Sequence, residues 1–382
     1  MLPTKARYLL GLIVPLTFVF FLEGCSSRVQ KPAPIVKPSI PKKPKPSQTV
    51  TSRKVALLVP LSGPSRGLGK SLQNAAELAF FENGHDGMEL IIEDTLGTPE
   101  GTALATQKAL DKGSELILGP LFSKGTPEVV KLANPRQVPV LSFTNDKTAA
   151  APQTFVLGFD PQEQIQRVLS YTSKKGKKSL IAFIPNDDYG TLAESALRRQ
   201  EQQGTIKIVH LEKYDARNPS SLSRKSFPKT DLLFIAEGGQ NLSRLLSTLL
   251  YHENKLESYQ LIGTGQWDTP SIRSNHSLTG AWFASPDSQP RLKFEEMFQE
   301  TYGYRPPRLS TLAYDAVSLV AALSKSFPAN PFAKDTLTRS VGFSGIDGLF
   351  RLKSDGTVQR GLAILEVHPE AFRILEKMPR NF

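Results

Sequence analysis

The turn from Gly63 to Ser71 has the residue types that bind phosphate, with a glycine followed further on by Gly-Lys-Ser. A P-loop needs four residues between its first glycine and this triplet, so that successive N–H groups close round a phosphate. Five residues stand there in this chain. For four residues to separate the two parts, the first glycine would have to stand at Pro64, and a proline has no N–H to donate. Nucleotide binding is therefore not expected.

Candidate catalytic and metal-binding residues are scattered. The histidines lack the paired spacing of a zinc site; they are His85, His210, His252, His276 and His368. Ser226 and Lys229 fit a Ser-x-x-Lys pattern, but Pro228 breaks the helix that would place both side chains on one face. Asp187 and Asp188 are a carboxylate pair of the kind more typical of turns than of acid/base catalysis. The sequence predicts a protein that is not an enzyme, with no catalytic residues, no metal site and no cofactor.

The elements that must position any site alternate between strands and helices. Val55–Val59 is a near-continuous apolar run, typical of a strand buried on both faces, and a helical pattern starts at Leu68. The alternation continues to Gly263 and indicates βαβ units with parallel strands. Ligands of such sheets lie beyond the carboxyl ends of strands, which places Ser62 and Gly63 at a candidate site. The predicted strands are 55–59, 88–93, 116–118, 138–142, 154–159, 179–184, 206–214, 231–236 and 259–263.

Two such rounds of strand and helix in about 230 residues indicate two lobes rather than one domain. We expect an α/β fold with two Rossmann-like lobes, whose parallel sheets face each other across a cleft. Two further helical patterns and a hairpin around Ser354–Gly356 are typical of chain that crosses back between lobes. The expected boundaries are 54–155 plus 285–345 for lobe 1, 156–284 plus 346–367 for lobe 2, and 368–382 for a C-terminal tail.

The first residues have the pattern of an export signal. Lys5 and Arg7 precede an apolar run, 9–22, that is shorter than the roughly 20 residues needed to span a bilayer. Leu22–Cys25 resembles the lipobox of bacterial lipoproteins, and a single cysteine cannot form an internal disulfide. Residues 1–24 are thus predicted to be a lipoprotein signal peptide and Cys25 the lipidated residue, with an uncleaved membrane anchor as the alternative.

Residues 25–53 form a proline- and lysine-rich tether. Its prolines favour an extended chain of about 3 Å per residue. Of the net charge of +11, the stretch Ser26–Lys54 carries +8 and the signal +1, which leaves +2 for the remaining body. A nucleic-acid site needs a basic face on the folded domain, so nucleic acid is not an expected partner. Ser26, directly after the cysteine, resembles the sorting signal for the outer membrane in Gram-negative bacteria.

Short motifs along residues 54–367 together resemble the type I periplasmic binding proteins of the leucine/isoleucine/valine-binding kind. The matching stretches are Val59–Pro64, Asp94–Thr95, Ile117–Pro120, Val138–Ser142, Asp188–Gly190, Ala313–Ala316 and Gly348–Phe350. Leu118–Phe122 and Ala76–Ala79 are more similar to a lipid-anchored branch of this fold, the penicillin-binding protein activators. The resemblance implies a periplasmic recognition protein without catalytic activity.

The resemblance also implies where a ligand is held. In amino-acid-binding relatives, groups after strands three and four of the first lobe hold the ligand carboxylate, and Ser123, Ser142 and Thr144 occupy comparable places. Short hydroxyls donate at little entropic cost, and N–H groups at helix starts favour an anion. Helix capping and turn bonding are the alternative roles of these residues. Tyr189 matches the cleft aromatic of the second lobe, with capping of its helix as the alternative.

Two departures from the family pattern concern the ligand. Leu68 stands where relatives place an aromatic side chain, and Gly263–Gln266 lacks the acid that receives the ligand ammonium. Because a buried ammonium without a counter-charge is unfavourable, Glu237 and Asp268 are candidates to replace that acid.

Two hypotheses follow for the function. The first is a lipid-anchored periplasmic protein that binds a small polar, amino-acid-like ligand between its lobes, for transport or sensing. The second is an activator that contacts a peptidoglycan synthase and regulates cell-wall synthesis without a soluble ligand. The anchor, the tether and the altered ammonium site favour the second hypothesis. The retained hydroxyls and Tyr189 favour the first, which we rank ahead.

Overall fold

The structure of the protein, a computed structural model, describes residues 52–83, 87–222, 226–252, 256–287, 289–369, 371–379 and 382. The predicted signal peptide, Cys25 and nearly all of the tether lie outside these residues. The strands are β1 (Arg53–Val59), β2 (Met88–Asp94), β3 (Leu116–Leu118), β4 (Val140–Ser142), β5 (Thr154–Val156), β6 (Ser179–Pro185), β7 (Lys207–Tyr214), β8 (Leu232–Ile235), β9 (Gln260–Gly263), β10 (Trp282–Ser285), β11 (Phe343–Gly345), β12 (Gly348–Leu352), β13 (Val358–Arg360), β14 (Ala363–His368) and β15 (Ala371–Glu376). The α-helices are α1 (Arg66–Glu82), α2 (Pro99–Asp111), α3 (Thr126–Ala133), α4 (Pro161–Lys174), α5 (Asp188–Gln202), α6 (Gly239–His252), α7 (Pro270–Arg273), α8 (Gln289–Tyr302), α9 (Ser310–Ser326) and α10 (Lys334–Leu337).

The first sheet is parallel throughout, with the strand order β2-β1-β3-β4-β5. Helices α1, α8 and α9 pack on one face of it, and α2 and α3 pack on the other. The side chains of Val55–Val59 are 0% exposed, because both faces of β1 are covered. The prediction of a strand buried on both faces is confirmed, and this sheet with its helices is lobe 1.

The second sheet has the order β15-β14-β10-β9-β8-β6-β7. Its strands from β10 to β7 are parallel, while β14 and β15 add antiparallel strands at one edge. Helices α4 and α5 pack on one face, and α6 and α7 pack on the other. This layered unit is lobe 2.

The chain passes between the sheets after β5, after β10 and after β13. The helices α8 and α9 return to lobe 1, where Phe298 and Leu312 join its core beside α1. A third sheet, β11-β12-β13, is antiparallel and precedes the last passage into lobe 2. The predicted α/β fold of two Rossmann-like lobes is confirmed, with the qualification that the second sheet is mixed.

Side-chain caps fix the starts of the helices that follow the strands. The Thr98 hydroxyl accepts from the Gly101 N–H at 3.0 Å before α2. Asp160 accepts from two N–H groups before α4, and Asp187 accepts from the Gly190 N–H at 2.8 Å before α5. These caps hold the helix starts beyond the carboxyl ends of the strands, where a site is expected.

Three segments differ from the sequence-based boundaries. Residues 371–376, expected in a C-terminal tail, form β15 and pair with β14. Residues 348–358, expected in lobe 2, place Phe350 and Leu352 in the core of lobe 1. Arg53, expected in the tether, begins β1 and forms an ion pair with Glu115 at 2.7 Å. The last two differences arise from packing or pairing partners that are distant in sequence, whereas β15 pairs with the strand directly before it.

Candidate functional site

A cavity of about 1310 Å³ lies between the two lobes, lined by loops and helix starts at the carboxyl ends of strands of both sheets. Apolar side chains from both lobes form much of the wall, among them Leu68, Phe122, Phe143, Phe159, Leu192 and Leu309. Leu68, which stands where relatives have an aromatic residue, contributes to this wall. The cavity is the expected cleft.

On the lobe 1 side, the cavity meets the start of α3. Ser123–Gly125 forms a 3-10 turn that leads directly into this helix, and the residues preceding the turn and the helix provide no side-chain cap. The Gly125 and Thr126 N–H groups donate to carbonyls within the turn, and Pro127 has no N–H. The helix start therefore contributes the partial positive charge of its dipole, which favours an anion. Ser123 lines the cavity here, and its neighbour Lys124 is exposed at the same wall.

Thr144 extends this polar wall from the loop after β4. It lines the cavity and is 4% exposed. Its hydroxyl oxygen accepts from the Asp146 N–H at 3.1 Å, which leaves the hydroxyl proton available to donate. The structure thus brings Ser123 and Thr144 to one wall.

On the lobe 2 side, Tyr189 lies in the first turn of α5. Its phenol donates to the Thr264 hydroxyl oxygen at 2.8 Å, in the loop after β9. Burial raises the pKa of the Tyr189 phenol, so it remains protonated and able to donate. The ring lines the cavity while the hydroxyl ties two loops of lobe 2 together.

Glu237 follows β8 and contributes a buried carboxylate to the cavity wall. It accepts from the Gly238 N–H at 3.1 Å and from the Tyr214 phenol at 3.5 Å. Burial raises the pKa of the Glu237 carboxyl above its ordinary value, although these hydrogen bonds lower it in part. Among the described residues no lysine, arginine or histidine forms an ion pair with it. Glu237 is therefore a buried acid at the cavity without a counter-charge from any residue that the structure describes.

Gln266 lies beside Glu237 and was not expected at the site. A Cβ on Gly238 would lie 3.2 Å from the Gln266 side-chain oxygen, so the two loops are in close contact. This amide oxygen is buried in the cavity wall and has no hydrogen-bond partner in the part of the chain that the structure describes. An unused buried acceptor is costly unless a donor reaches it. Two acceptors for a positively charged donor thus lie close together.

Four candidate residues do not line the cavity, namely Ser62, Gly63, Ser142 and Asp268. The Ser62 hydroxyl donates to Asp94 at 2.6 Å, and the neighbouring Gly63 supplies a turn with a φ of 73°. Ser142 is 0% exposed, and its hydroxyl donates to the Pro120 carbonyl at 3.2 Å. These groups hold loops together, which is the turn-bonding role that sequence reasoning left open for Ser142.

Asp268 also has partners within the protein. Its carboxylate lies 2.5 Å from Arg291 and 3.4 Å from Arg308, and it accepts from the Ser285 hydroxyl at 2.7 Å. It is 1% exposed and does not line the cavity. Of the two acids named from sequence, the structure therefore places only Glu237 at the cavity.

Arg308 and Phe159 are further cavity residues that sequence reasoning missed. The Arg308 guanidinium lies 4.3 Å from the centre of the Phe159 ring. Arg308 lies outside the predicted elements, whereas Phe159 ends the predicted strand 154–159, which in the structure stops at Val156. The two residues come together only because of how the lobes pack against each other. Local sequence patterns carry no information on that packing.

The comparisons with known proteins agree with this geometry. The sequence profile of the periplasmic binding protein family matches residues 52–371, and the chain belongs to this family. The solved structures that it resembles have the same fold. In the described residues we find no helix with the length and apolar character needed to cross a membrane.

Two solved structures illustrate the similarity. A branched-chain amino acid ABC transporter periplasmic ligand-binding protein from Burkholderia xenovorans superposes with a TM-score of 0.71 at 15% identity, covering 86% of this chain and 96% of that one. A branched-chain amino acid transporter substrate-binding protein from Streptococcus pneumoniae in complex with isoleucine has a TM-score of 0.63 at 18% identity, covering 86% and 100%. At such identities the likeness establishes the fold.

Sequence relatives include a different group. The penicillin-binding protein activator LpoA of Histophilus somni is 22% identical over 310 residues, which are 76% of this chain and 50% of the relative. An uncharacterised protein of Rickettsia prowazekii is 21% identical over 211 residues, or 51% of this chain and 56% of that one. The chain thus spans about half the length of these relatives.

Proposed function

We propose that this protein binds a small amino-acid-like zwitterion in the cavity between its lobes and does not transform it. The observation that carries the proposal is the distribution of charge across the cavity. Anion-directed groups at Ser123 and the start of α3 line one wall. Glu237, a buried acid without a cationic partner among the described residues, lines the other. A zwitterion satisfies both walls at once.

The carboxylate end of the ligand is assigned to lobe 1. Thr144 and Ser123 donate hydroxyl protons there, and the partial positive charge of the α3 start adds to the attraction. The ligands of structural relatives support a carboxylate-binding site. One relative was solved with isoleucine, and another, from Rhodopseudomonas palustris, with 3,4-dihydroxybenzoic acid. Both of these compounds are carboxylic acids.

The ammonium end is assigned to lobe 2. Glu237 provides the counter-charge and the Gln266 amide oxygen provides a second acceptor, so two of the three ammonium protons are bound. Because the two ends of the ligand are held by different lobes, binding favours closure of the cleft. Tyr189 and Phe159 offer apolar surface to the ligand side chain.

The proposed setting is the periplasm, where the protein is held by lipid on Cys25. The sequence pattern of residues 1–25 supports this anchor, and Ser26 supports the outer membrane as its location. The tether then holds the body away from the membrane surface.

A second candidate function is activation of a peptidoglycan synthase through direct contact. It is favoured by the match of 76% of this chain to LpoA of Histophilus somni. In this function the two-lobed body is a protein-binding module and the cavity needs no soluble ligand.

A thermal-shift screen tests the proposal. The full chain carrying Cys25→Ser is heated with each of the twenty standard amino acids and, as a comparison, with benzoate and 3,4-dihydroxybenzoate. Stabilisation that grows with the concentration of an amino acid, as mass action requires, supports the proposal. Stabilisation by the aromatic acids alone contradicts the ammonium site. No stabilisation by any compound, together with capture of a purified peptidoglycan synthase, supports the second function instead.

A further inference from the structure

Arg308 lines the cavity and lies in the segment between α8 and α9. Both helices pack on lobe 1, and the adjacent Leu309 contacts the lobe 1 core. The backbone of Arg308 therefore belongs to lobe 1. Its side chain points toward the place where the lobes meet.

The nitrogens of the Arg308 guanidinium already bind acceptors within the protein. Nη2 lies 2.7 Å from Asp347, and Nη1 donates to the Thr311 hydroxyl oxygen at 2.8 Å and to Asp347 at 3.1 Å. Nε donates to Asp268 at 3.4 Å. One face of the guanidinium also stacks on the Phe159 ring. An arginine with these partners has little capacity left for a ligand anion.

The two carboxylates that bind Arg308 lie in different parts of the fold. Asp268 follows β9 and stands next to Trp267, which is 0% exposed in the core of lobe 2. Asp347 lies between β11 and β12, in the chain that leads back into lobe 2. Arg308 thus connects lobe 1 to lobe 2 and to the returning chain through buried ion pairs.

Asp268 is held in place for this contact. The Ser285 hydroxyl, at the end of β10 where the chain leaves lobe 2, donates to it at 2.7 Å. Arg291 of α8, a helix of lobe 1, binds its other oxygen at 2.5 Å, so this ion pair also joins the two lobes and is lost together with the Arg308 pair in Asp268→Asn. A carboxylate with 1% exposure and two arginine partners has one well-defined geometry, because any displacement leaves a buried charge unpaired.

We propose that the Arg308–Asp268 ion pair sets the angle between the lobes, and that Arg308 is a positioning residue for ligand binding. The effect on affinity rests on the proposed function, whereas the effect on the angle needs no ligand. With the pair intact, both walls of the cavity stay within reach of one ligand. Without it, the lobes sample wider angles and a smaller fraction of molecules is competent to bind, which lowers the apparent affinity by the same factor.

The test measures the distance between the lobes directly. Spin labels are placed on Leu104→Cys in α2 and Gln202→Cys in α5, both exposed positions, in the full chain carrying Cys25→Ser. Double electron–electron resonance then gives the distance distribution without ligand. Three variants are compared: Asp268→Asn, Arg308→Lys, and the control Arg305→Ala, an exposed arginine of the same segment. Arg308→Lys keeps the positive charge, and circular dichroism verifies that each variant is folded.

The expected result is a broader distribution, extending to longer distances, in Asp268→Asn and Arg308→Lys, with Arg305→Ala like the parent. For an amino acid found in the thermal-shift screen, the two variants are expected to bind about tenfold more weakly. Distributions identical to the parent in both folded variants overturn the proposal. A changed distribution without binding of any amino acid supports the interlobe role and contradicts the proposed function alone.

Discussion

The Ser62 hydroxyl donates a hydrogen bond of 2.6 Å to the Asp94 carboxylate and thereby joins the turn after β1 to the loop after β2. Asp94 also accepts from the Leu61 and Leu96 N–H groups, each at 2.8 Å. Burial acts to raise the pKa of Asp94, but these hydrogen bonds outweigh it and hold that pKa below its ordinary value. One carboxylate therefore holds two loops next to the cavity in place.

Replacing Asp94 by alanine is expected to lower the free energy of unfolding by about 2 kcal/mol, because three hydrogen bonds to a charged group are lost. Urea denaturation measures the change. The control is Glu89→Ala, an exposed residue of the same strand, expected to change stability by less than about 0.5 kcal/mol. Equal losses in the two variants would show that the contacts of Asp94 contribute little.

The two serines predicted at the ligand wall are expected to behave differently on mutation. Ser142→Ala removes a buried hydroxyl bonded to the Pro120 carbonyl and is expected to cost about 1 kcal/mol of stability. Ser123→Ala is expected to leave stability unchanged and to weaken binding of an amino acid about fivefold, the loss of one hydrogen bond. Urea denaturation and calorimetric titration of both variants separate the two effects. The reverse pattern would place the ligand at Ser142.

Glu237→Gln is expected to weaken binding of an amino acid roughly 30-fold or more, since it removes the buried partner of the ammonium. Asp188→Asn, an exposed acid at the same cavity, is the control and is expected to have a small effect. Because the pKa of Glu237 is raised, affinity is expected to fall in the wild type as the pH is lowered and this carboxylate takes up a proton. Affinity that is independent of pH and of this substitution would exclude Glu237 from the site.

Glu163 gives a prediction for the dependence of stability on pH. Burial, together with the charge of Asp160, raises the pKa of Glu163 from 4.5 to about 7. Between these values the folded state keeps a proton that the unfolded state has released, so the free energy of unfolding falls as the pH rises. Glu163→Gln stays neutral and is expected to show a shallower decline, because Asp315, whose pKa burial raises to about 7, still contributes. The exposed-residue control Glu300→Gln is expected to keep the full decline. Urea denaturation from pH 5 to pH 8 measures the slopes, and parallel curves for wild type and Glu163→Gln would contradict the assignment.

Much of the fold follows from local patterns. The apolar run Val55–Val59 is long enough, and free enough of polar residues, to allow only a strand covered on both faces. Aspartates before helices, such as Asp160 before Pro161, mark helix starts from sequence alone. By contrast, β15 was missed because Ala371–Glu376 is a partly exposed edge strand without the continuous apolar run of β1.

The site was less accessible to sequence reasoning. Ser123, Thr144 and Tyr189 were named from the family resemblance. Each follows a strand or begins a helix, and each lines the cavity. Ser142 and Asp268 have equally suitable chemistry, but nearby buried groups take up their polar atoms. The sequence gives no sign that Gln266 belongs to the site. Only the structure shows that its buried side-chain oxygen has no hydrogen-bond partner among the described residues and can accept from a ligand.

The central claim is that one small zwitterion joins the wall of Ser123 to the wall of Glu237. Isothermal titration calorimetry of the best amino acid from the screen, into the wild type, Ser123→Ala, Glu237→Gln and the double variant, tests it most directly. We expect one molecule bound per chain in the wild type, weaker binding in each single variant and the weakest binding in the double variant. Binding of equal strength in all four proteins, or no saturable binding of any amino acid to the wild type, would contradict the account.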